Sequence, residues 1–392
     1  MLTMKQYKFF PKDTIFSLND KFKADPRPNK INAGIGIYLD NQGKPFVIPI
    51  ISEIASKMNF KNFNYLPIQG DAVFLEESAK IILGKKNYLK QKPFISTQGV
   101  TGGTNGVYLW ANLIKLTVSK PTIILSDPTW DNHNDIFNNS GFKVIKFPQL
   151  NQNKQFNFEA LKNTIVKHPN AYILFQGGPT HNPTCVNPTK KQWFDLVKLF
   201  KKYNNSIFFD SAYIGLGDDF EKDCFSMRYL IKNKIKTAIN FSYSKNMTLY
   251  QHRTSLLLVI SENTEEKESI SSCLNYLFRV NNSNPPAFGE LIAKEILTNP
   301  KYKNEWLNSL SQMSKNLKER RKLFNKFTKG NFKYILEQKG FFSLLDLTPK
   351  QIDILKTKYA IYLLTNGRIN FGGISLKEIP IVAKAILSVI KK

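Results

Sequence analysis

The chain has 392 residues, of which 42% are hydrophobic and 13% aromatic, enough to bury a large core and to form two domains. Its net charge of +26 comes from lysines spread along the whole length, which is typical of compositional drift, so we expect no specific nucleic-acid partner. No apolar run has the length of a membrane helix and the first residues lack a signal-peptide pattern, which predicts no membrane partner and a cytoplasmic location.

Short apolar runs predict the strands of a mainly parallel sheet. Several runs are separated by stretches long enough for a helix, an alternation typical of helical crossovers between buried strands. The runs cover residues 122–125, 171–175, 207–209, 238–241 and 256–260. The predicted fold class of this part is α/β.

Helices are predicted where apolar residues recur at helical spacing. Val107–Leu116 is one such segment, and Thr189–Tyr203 is another, preceded by Pro188 at a suitable first helical position. After Pro300 the pattern changes to a long amphipathic helix, two strand candidates and a closing helix, at 305–327, 340–345, 368–371 and from 378. That order predicts a smaller α+β domain joined by a long helix.

Lys245 is the most informative residue of the chain. It lies in Ser242-Tyr243-Ser244-Lys245-Asn246 after an apolar run, with Arg253 eight residues further on. An amine attacks an aldehyde only when it is unprotonated, and burial beside a second cation lowers the pKa of a lysine. The segment therefore suits pyridoxal 5'-phosphate, an aldehyde cofactor with a phosphate, although most lysines are surface charges.

Polar side chains that follow the other apolar runs suit the same cofactor, because ligands of open α/β sheets bind beyond the carboxyl ends of the strands. Asp210 is placed to pair with a pyridine nitrogen, and Tyr213 to donate to the ring oxygen. Asn182, in His181-Asn182-Pro183-Thr184, is placed to donate to that oxygen too. The alternatives are a helix cap for Asp210 and a simple Asn-Pro turn.

A glycine-rich turn and an aromatic pair complete the pattern. The turn at 100–106 precedes a predicted helix, so its backbone amides suit a phosphate, but it lacks the ending of a nucleotide-binding P-loop. Trp130 is placed to stack on a flat ring, and His133 to hydrogen-bond Asp210 from behind, with core packing as the alternative. The three cysteines lack metal or redox spacing, so we predict reduced thiols and no metal site.

Taken in order and spacing, these motifs resemble the class I aspartate and aromatic amino acid aminotransferases, from about Asp13 to the C-terminus. The resemblance rests on Gly34-Ile35-Gly36-Ile37-Tyr38, Asn64-Tyr65-Leu66, Gly102-Gly103-Thr104, Trp130 with His133, His181-Asn182-Pro183-Thr184, Asp210 with Tyr213, Ser242-Tyr243-Ser244-Lys245, Arg253, Arg279 with Ser283-Asn284-Pro285-Pro286, and Gly367-Arg368-Ile369-Asn370. It implies the pyridoxal phosphate fold type I, with an N-terminal arm at 1–40, a large cofactor domain at 41–305 and a small domain at 306–392. It also implies a homodimer.

The resemblance assigns roles to these residues. Lys245 would carry the cofactor and move the proton of the substrate, while Asp210 would pair with the pyridinium. The remaining cofactor contacts would come from Trp130, Asn182, Tyr213, Gly103, Thr104, Ser242, Arg253 and, from the other subunit, Tyr65. Arg368, near the backbone of Gly36, would bind the substrate α-carboxylate, and Arg279 of the other subunit a distal carboxylate.

Four positions depart from the family pattern. Cys185, Thr248 and Ser255 stand where the family has glycine, and Ser211 stands where phenylalanine is usual. A residue with a Cβ restricts the backbone, so these changes bear on loop geometry near the cofactor. The catalytic side chains expected from the resemblance are all present.

The sequence therefore predicts an aminotransferase that moves the amino group of aspartate or an aromatic amino acid to 2-oxoglutarate, a 2-oxo acid. Arg279 favours a dicarboxylic substrate, but aromatic aminotransferases of this family keep the same arginine, so mainly aromatic activity is the alternative. Other open alternatives are a different fold type I reaction, such as decarboxylation, and a non-catalytic basic binding protein. No recognised DNA-binding motif supports the last alternative.

Overall fold

A computed structural model describes residues 7–58 and 64–390 of the chain. The described chain divides into two compact units. The first unit contains residues up to Pro45, Glu319–Leu336 and residues from Phe341, and the second contains Phe46–Lys318 and Glu337–Gly340. The domain limits predicted at 40 and 305 differ from these bounds by five and thirteen residues. The predicted roles of the domains, a large cofactor domain and a small domain, stay predictions.

The helices, in chain order, are α1 Thr14–Ala24, α2 Pro49–Lys57, α3 Ala72–Leu83, α4 Lys85–Gln91, α5 Gly102–Lys115, α6 Asn132–Asn139, α7 Phe158–Lys167, α8 Lys190–Lys202, α9 Phe220–Asp223, α10 Phe225–Lys232, α11 Tyr243–Asn246, α12 Thr264–Asn281, α13 Ala287–Thr298, α14 Pro300–Phe327, α15 Pro349–Tyr359 and α16 Ile379–Ile390. The strands are β1 Ile31–Asn32, β2 Ile95–Thr101, β3 Thr122–Asp127, β4 Lys143–Pro148, β5 Tyr172–Gln176, β6 Ser206–Ser211, β7 Thr237–Ser242, β8 Thr254–Ile260, β9 Phe342–Leu344, β10 Ile361–Tyr362 and β11 Arg368–Asn370.

A seven-stranded sheet forms the centre of the second unit. Its strand order is β2-β8-β7-β6-β5-β3-β4, and the strands from β7 to β4 run parallel to one another. Strand β8 runs antiparallel to both neighbours. The predicted α/β class with a mainly parallel sheet is confirmed, and all five apolar runs are strands.

Helix α5 packs on this sheet through large aromatic side chains. The Trp110 indole stacks on the Phe208 ring of β6 with 4.1 Å between ring centroids and 5° between planes. Both side chains are buried, and they belong to a cluster that also takes in Phe137 and Phe142. Burying an aromatic side chain contributes roughly 2 to 3 kcal/mol, so this contact fixes α5 against β6.

Two predicted helices begin at other residues than the sequence pattern indicated. Helix α8 has Thr189 as its N-cap, in a capping box with Gln192, so Pro188 lies before the helix rather than in its first turn. Helix α5 begins at Gly102, five residues before the predicted start, because the glycine turn itself is helical from that residue. The amides of the turn therefore form the first turn of α5.

The first unit contains two small sheets, one with β1 parallel to β10 and one with β9 antiparallel to β11. Its core includes the buried Arg320, whose guanidinium donates to the carbonyls of Phe371, Gly372 and Leu39 at 2.8 to 3.0 Å. The predicted strands near 340 and 368 and the closing helix are confirmed. Of the helices between residues 7 and 390 that the structure describes, none combines the length and apolar character needed to cross a membrane.

Candidate active site

Three polar side chains lie at the same level of three neighbouring strands. The parallel register pairs Gln176 of β5 with Asp210 of β6, and Asp210 with Asn240 of β7. All three residues are buried, with Asn240 fully inaccessible. Because parallel strands end at one edge of the sheet, this row places its polar groups at the edge where ligands bind in such folds.

The Asp210 carboxylate accepts a hydrogen bond at each oxygen. His133 Nε2 lies 3.1 Å from Oδ2, and Asn240 Nδ2 lies 2.9 Å from Oδ1. The carboxylate is 8% exposed, so these donors replace most of the water that would otherwise solvate it. The two hydrogen bonds fix the orientation of the carboxylate at the edge of the sheet, where it suits a positively charged partner.

The hydrogen bonds of His133 determine which of its ring nitrogens carries the proton. A carboxylate only accepts, so Nε2 donates to Asp210, and the Thr129 hydroxyl lies 2.8 Å from Nδ1, to which it donates when the ring is neutral. The imidazole is fully buried and meets the Trp130 ring edge to face, with centroids 5.1 Å apart. The residues from 129 to 133, just beyond β3, therefore support Asp210 from one side.

Lys245 lies on α11, immediately after β7. Its amine is 5.1 Å from the centre of the Tyr213 ring. Burial lowers the pKa of Lys245 from 10.5 to about 8, Asp210 opposes this shift, and the Arg253 cation adds to it. The pKa favours a substantial neutral fraction near physiological pH, which a nucleophilic amine requires.

The glycine turn, Arg253 and two serines form a cluster of donors. Gly102 has a φ of +77°, and a Cβ atom added there would overlap the Arg253 guanidinium, so the residue has no room for a side chain. Arg253 Nη1 donates to Ser244 Oγ at 3.3 Å, and the Ser242 hydroxyl lies 3.1 Å from the same oxygen. A cation beside the first amides of a helix suits a phosphate group.

Asn182 is held by the side chain of Gln176. Gln176 Oε1 accepts from the backbone amide of Asn182, and Gln176 Nε2 donates to the backbone carbonyl of Asn182, both at 2.8 Å. The neighbouring His181 bonds Ser126 and Thr184, and burial lowers its pKa to about 3. The segment that carries Asn182 is therefore fixed to the end of β5.

Arg368 and Gly36 lie in the first unit. Arg368 in β11 is 4% exposed, and its Nη2 donates to the carbonyl of Gly34 at 3.0 Å, two residues before Gly36. Its guanidinium also lies over the Phe342 ring, 4.6 Å from the centroid. The 34–37 segment is tied to β11 a second time, because Asn370 Nδ2 donates to the carbonyls of Ile35 and Ile37.

Tyr65 and Arg279, the two residues predicted to act across a subunit interface, lie on the surface of the single chain. Tyr65 is 88% exposed. Arg279 near the end of α12 is also exposed, and its Nη1 donates to Ser283 Oγ at 2.6 Å. Their segments are joined because Asn284 Nδ2 donates to the carbonyl of Leu66 at 2.7 Å.

Three buried polar residues of the site were missed by the sequence interpretation, namely Asn240, Gln176 and Thr129. Asn240 lies within the apolar run 238–241, and Gln176 directly follows the apolar run 171–175. A buried amide must find hydrogen-bond partners, so an Asn or Gln within an otherwise apolar strand is a signal that sequence alone offers.

Two of the departures from the family pattern occur where the backbone is left-handed. Cys185 has a φ of +52° and Thr248 a φ of +51°, a region that glycine adopts without strain and that a β-branched residue rarely adopts. Ser211 and Ser255 are buried within β6 and β8. The two loops therefore keep the conformation that glycine would take, at a cost of about 1 to 2 kcal/mol each.

Comparison with known proteins identifies the family. The family model described as "Aminotransferase class I and II" matches residues 28–386. The chain belongs to the class I and II aminotransferases. Family membership sets the reaction class and its cofactor, so the chain is a pyridoxal phosphate-dependent aminotransferase. The predicted family, fold type I architecture and cofactor are confirmed.

Individual relatives of this aminotransferase cover nearly all of it. The aspartate aminotransferase of Haemophilus influenzae is 32% identical over 98% of this chain and 99% of its own. The cytoplasmic aspartate aminotransferase of Schizosaccharomyces pombe is 31% identical over 95% of this chain and 94% of its own. The aromatic-amino-acid aminotransferase structure from Burkholderia pseudomallei, covalently bound to pyridoxal phosphate, superposes with a TM-score of 0.94 and 28% identity over 99% of this chain and 100% of that one.

Proposed function

We propose that this aminotransferase transfers the amino group of L-aspartate or an aromatic amino acid to 2-oxoglutarate in two half-reactions. Its relatives are named as aspartate and as aromatic amino acid aminotransferases, which supports both donors. The observation that carries the proposal is Lys245, an amine with a pKa of about 8 set near the Asp210 anion and the Arg253 cation. Pyridoxal phosphate, when bound, supplies an aldehyde that accepts the amino group and a ring that withdraws electrons from the substrate.

The residues present fit that cofactor. At one end the Asp210 carboxylate, with donors on both oxygens, would hold the pyridine nitrogen in its protonated form. At the other end Arg253, Ser242 and the first amides of α5 at Gly103 and Thr104 would hold the phosphate. Gly103 lies close to both ends, because a Cβ at this residue would be 3.7 Å from Ser242 Cβ and 3.8 Å from Asp210 Oδ1.

We assign the chemistry to the following side chains. Lys245 would hold the cofactor through its aldehyde, and as a free amine it would move the substrate proton between the Cα atom and the C4′ carbon of the cofactor. Tyr213 and Asn182 would donate to the ring oxygen, and Trp130 would cover the ring. The buried His133 acts on the ring only through Asp210.

Substrate binding is assigned to two arginines and one backbone segment. The planar guanidinium of Arg368 binds the α-carboxylate through two parallel hydrogen bonds, beside the 34–36 backbone. Arg279 binds the distal carboxylate of aspartate or glutamate from a second copy of the chain, which also contributes Tyr65 to the phosphate. The exposure of both residues in the single chain supports the homodimer, and an active monomer in a sizing experiment would contradict it.

Substitution of Lys245 tests the reaction. Lys245→Ala is expected to abolish the absorbance of the covalently attached cofactor and to reduce turnover of aspartate with 2-oxoglutarate by several orders of magnitude. Lys234→Ala, which changes an exposed lysine after α10, is the matched control and is expected to leave both unchanged. Turnover by Lys245→Ala comparable to the parent enzyme would contradict the assignment. Release of CO₂ instead of a 2-oxo acid by the parent enzyme would indicate decarboxylation.

A donor panel separates aspartate from aromatic activity. Arg279→Ala is expected to lower kcat/KM for aspartate by at least about a hundredfold and for phenylalanine much less, because only aspartate loses a charge partner. Equal losses for both donors would remove this role from Arg279. Higher kcat/KM for phenylalanine than for aspartate in the parent enzyme would favour the mainly aromatic alternative.

A cytoplasmic location is also proposed. The relative named as cytoplasmic supports this location, and the relative named as mitochondrial gives the alternative. Imaging of the tagged full-length chain in its own cells would decide between the two.

A further inference from the structure

Asn240 places a carboxamide inside the sheet, directly beside Asp210. It occupies β7 in register with Asp210 on β6, and its side chain is completely buried. Most neighbours of Asn240 along β7 are apolar, from Ala238 to Phe241. A buried amide in such a strand costs free energy unless its polar atoms are hydrogen-bonded, so its partners indicate what it does.

Both partners of the Asn240 amide group are acceptors. Nδ2 lies 2.9 Å from Asp210 Oδ1 and 2.9 Å from the carbonyl oxygen of Gly103. Since a carboxylate and a carbonyl only accept, the NH₂ group must face them, and the reverse orientation of the amide is excluded. One side chain therefore connects the carboxylate assigned to the ring nitrogen with the glycine turn assigned to the phosphate.

The space for this amide is provided by Gly106 on α5. A Cβ atom at residue 106 would overlap Asn240 Oδ1. That oxygen has no hydrogen-bond partner within the part of the chain that the structure describes. The amide is thus kept in place by its two donor bonds and by the missing side chain of Gly106, because Oδ1 contributes no bond of its own.

We propose that Asn240 is a positioning residue for the cofactor, which fixes the Asp210 carboxylate relative to the phosphate-binding turn at Gly103. This inference rests on the proposed roles of Asp210 and Gly103. Without the amide, Asp210 Oδ1 loses a charge-assisted donor and the carboxylate can rotate away from the ring nitrogen. His133 then remains as the carboxylate donor that the structure shows.

The first test compares two buried asparagines. Cofactor-free Asn240→Ala protein, titrated with pyridoxal phosphate, is expected to bind it about tenfold more weakly than the parent, which corresponds to about 1.4 kcal/mol. Asn205→Ala is the matched control, because Asn205 is also buried, donates to the carbonyls of Ala171 and His168, and lies before the opposite end of β6. Its affinity for the cofactor is expected to stay within about twofold of the parent.

A spectroscopic readout separates positioning from general destabilisation. If Asn240 helps Asp210 to keep the ring nitrogen protonated, Asn240→Ala shifts that nitrogen towards its neutral form. The bound cofactor then carries less positive charge, so the pH midpoint of its absorbance rises. Asn205→Ala is expected to leave that midpoint unchanged even where it lowers the free energy of unfolding. An unchanged midpoint and affinity in Asn240→Ala would overturn the proposal.

Gly106→Ala provides a second test. In the parent enzyme it is informative even if Asn240→Ala does not fold, because an unchanged affinity for pyridoxal phosphate would contradict the proposal. In the parent enzyme the added methyl group is expected to displace the amide and weaken cofactor binding by a similar factor. In the Asn240→Ala background the same change fills vacated space, so it is expected to cause no further loss. Equal losses in both backgrounds would overturn the link through Asn240, whereas parent protein that binds no pyridoxal phosphate would contradict the proposed function itself.

Discussion

The pKa of Lys245 leads to a quantitative prediction about how fast an aldehyde attaches to it. The difference between 10.5 and about 8 corresponds to roughly 3 kcal/mol in favour of the neutral amine. At pH 7.5 about a quarter of the amine is then neutral, compared with about one part in a thousand for an ordinary lysine. The attachment rate is therefore expected to rise with pH and to level off above a midpoint near 8.

The perturbations are two charge-removing substitutions with opposite expected signs. Arg253→Met removes a cation that lowers the pKa of Lys245, so the midpoint moves to higher pH. Asp210→Asn removes an anion that raises this pKa, so the midpoint moves to lower pH. In Arg253→Met the midpoint should stay well below 10.5, because burial, the largest cause of the lowered pKa, is unchanged.

The assay mixes cofactor-free enzyme rapidly with pyridoxal between about pH 6.5 and 10.5 and follows the absorbance of the product. Pyridoxal has no phosphate, so the loss of the Arg253 contact to phosphate does not obscure the effect on the amine. Lys245→Ala measures attachment to the other lysines and is subtracted. A parent midpoint near 10.5, or shifts of the same sign in both variants, would refute the reasoning.

Three further outcomes are expected. Thr129→Val removes the hydroxyl that donates to His133 Nδ1 and should lower turnover about tenfold, while Thr129→Ser should retain it. Burial raises the pKa of Glu290 from 4.5 to about 8, so the free energy of unfolding should fall by roughly 3 kcal/mol between pH 5 and 8. Glu290→Gln still accepts from the backbone amide of Asp71 but does not titrate, so chemical denaturation of this variant should show no such pH dependence. The exposed Lys234 has a φ of +59°, so Lys234→Gly should raise the free energy of unfolding by about 1 kcal/mol, and a loss of stability would contradict the strain argument.

The interior of the sheet was predictable from sequence, and its margins were not. Five apolar runs predicted β3, β5, β6, β7 and β8, because strands covered on both faces are apolar throughout. The two missed strands, β2 and β4, are the two edges of the sheet. Their sequences, ISTQGVT and KVIKFP, interrupt apolar residues with polar ones, so no continuous run marks them.

The candidate site was predictable in its chemistry but not in its support. Asp210, His133 and Lys245 come after predicted apolar runs and carry charge or a titratable group, which makes them visible in the sequence. Asn240 was hidden by its apolar neighbours in β7, and its partner Gly106 by the expectation that glycine in this turn serves a phosphate. Which groups meet depends on strand register, and register follows from long-range pairing that a single sequence does not reveal.

The row formed by Gln176, Asp210 and Asn240 lies in strands, which fix its geometry, whereas the loops beyond the strands can change in sequence. Each residue of the row is anchored by the backbone ladder of its strand, so insertions or backbone changes in the loops beyond the strands leave the spacing within the row intact. Cys185 and Thr248, which stand where the family has glycine, lie in such loops, and the charged groups of the site are retained. Engineering of new donor preferences is therefore best directed at the loops, with the three strands left untouched.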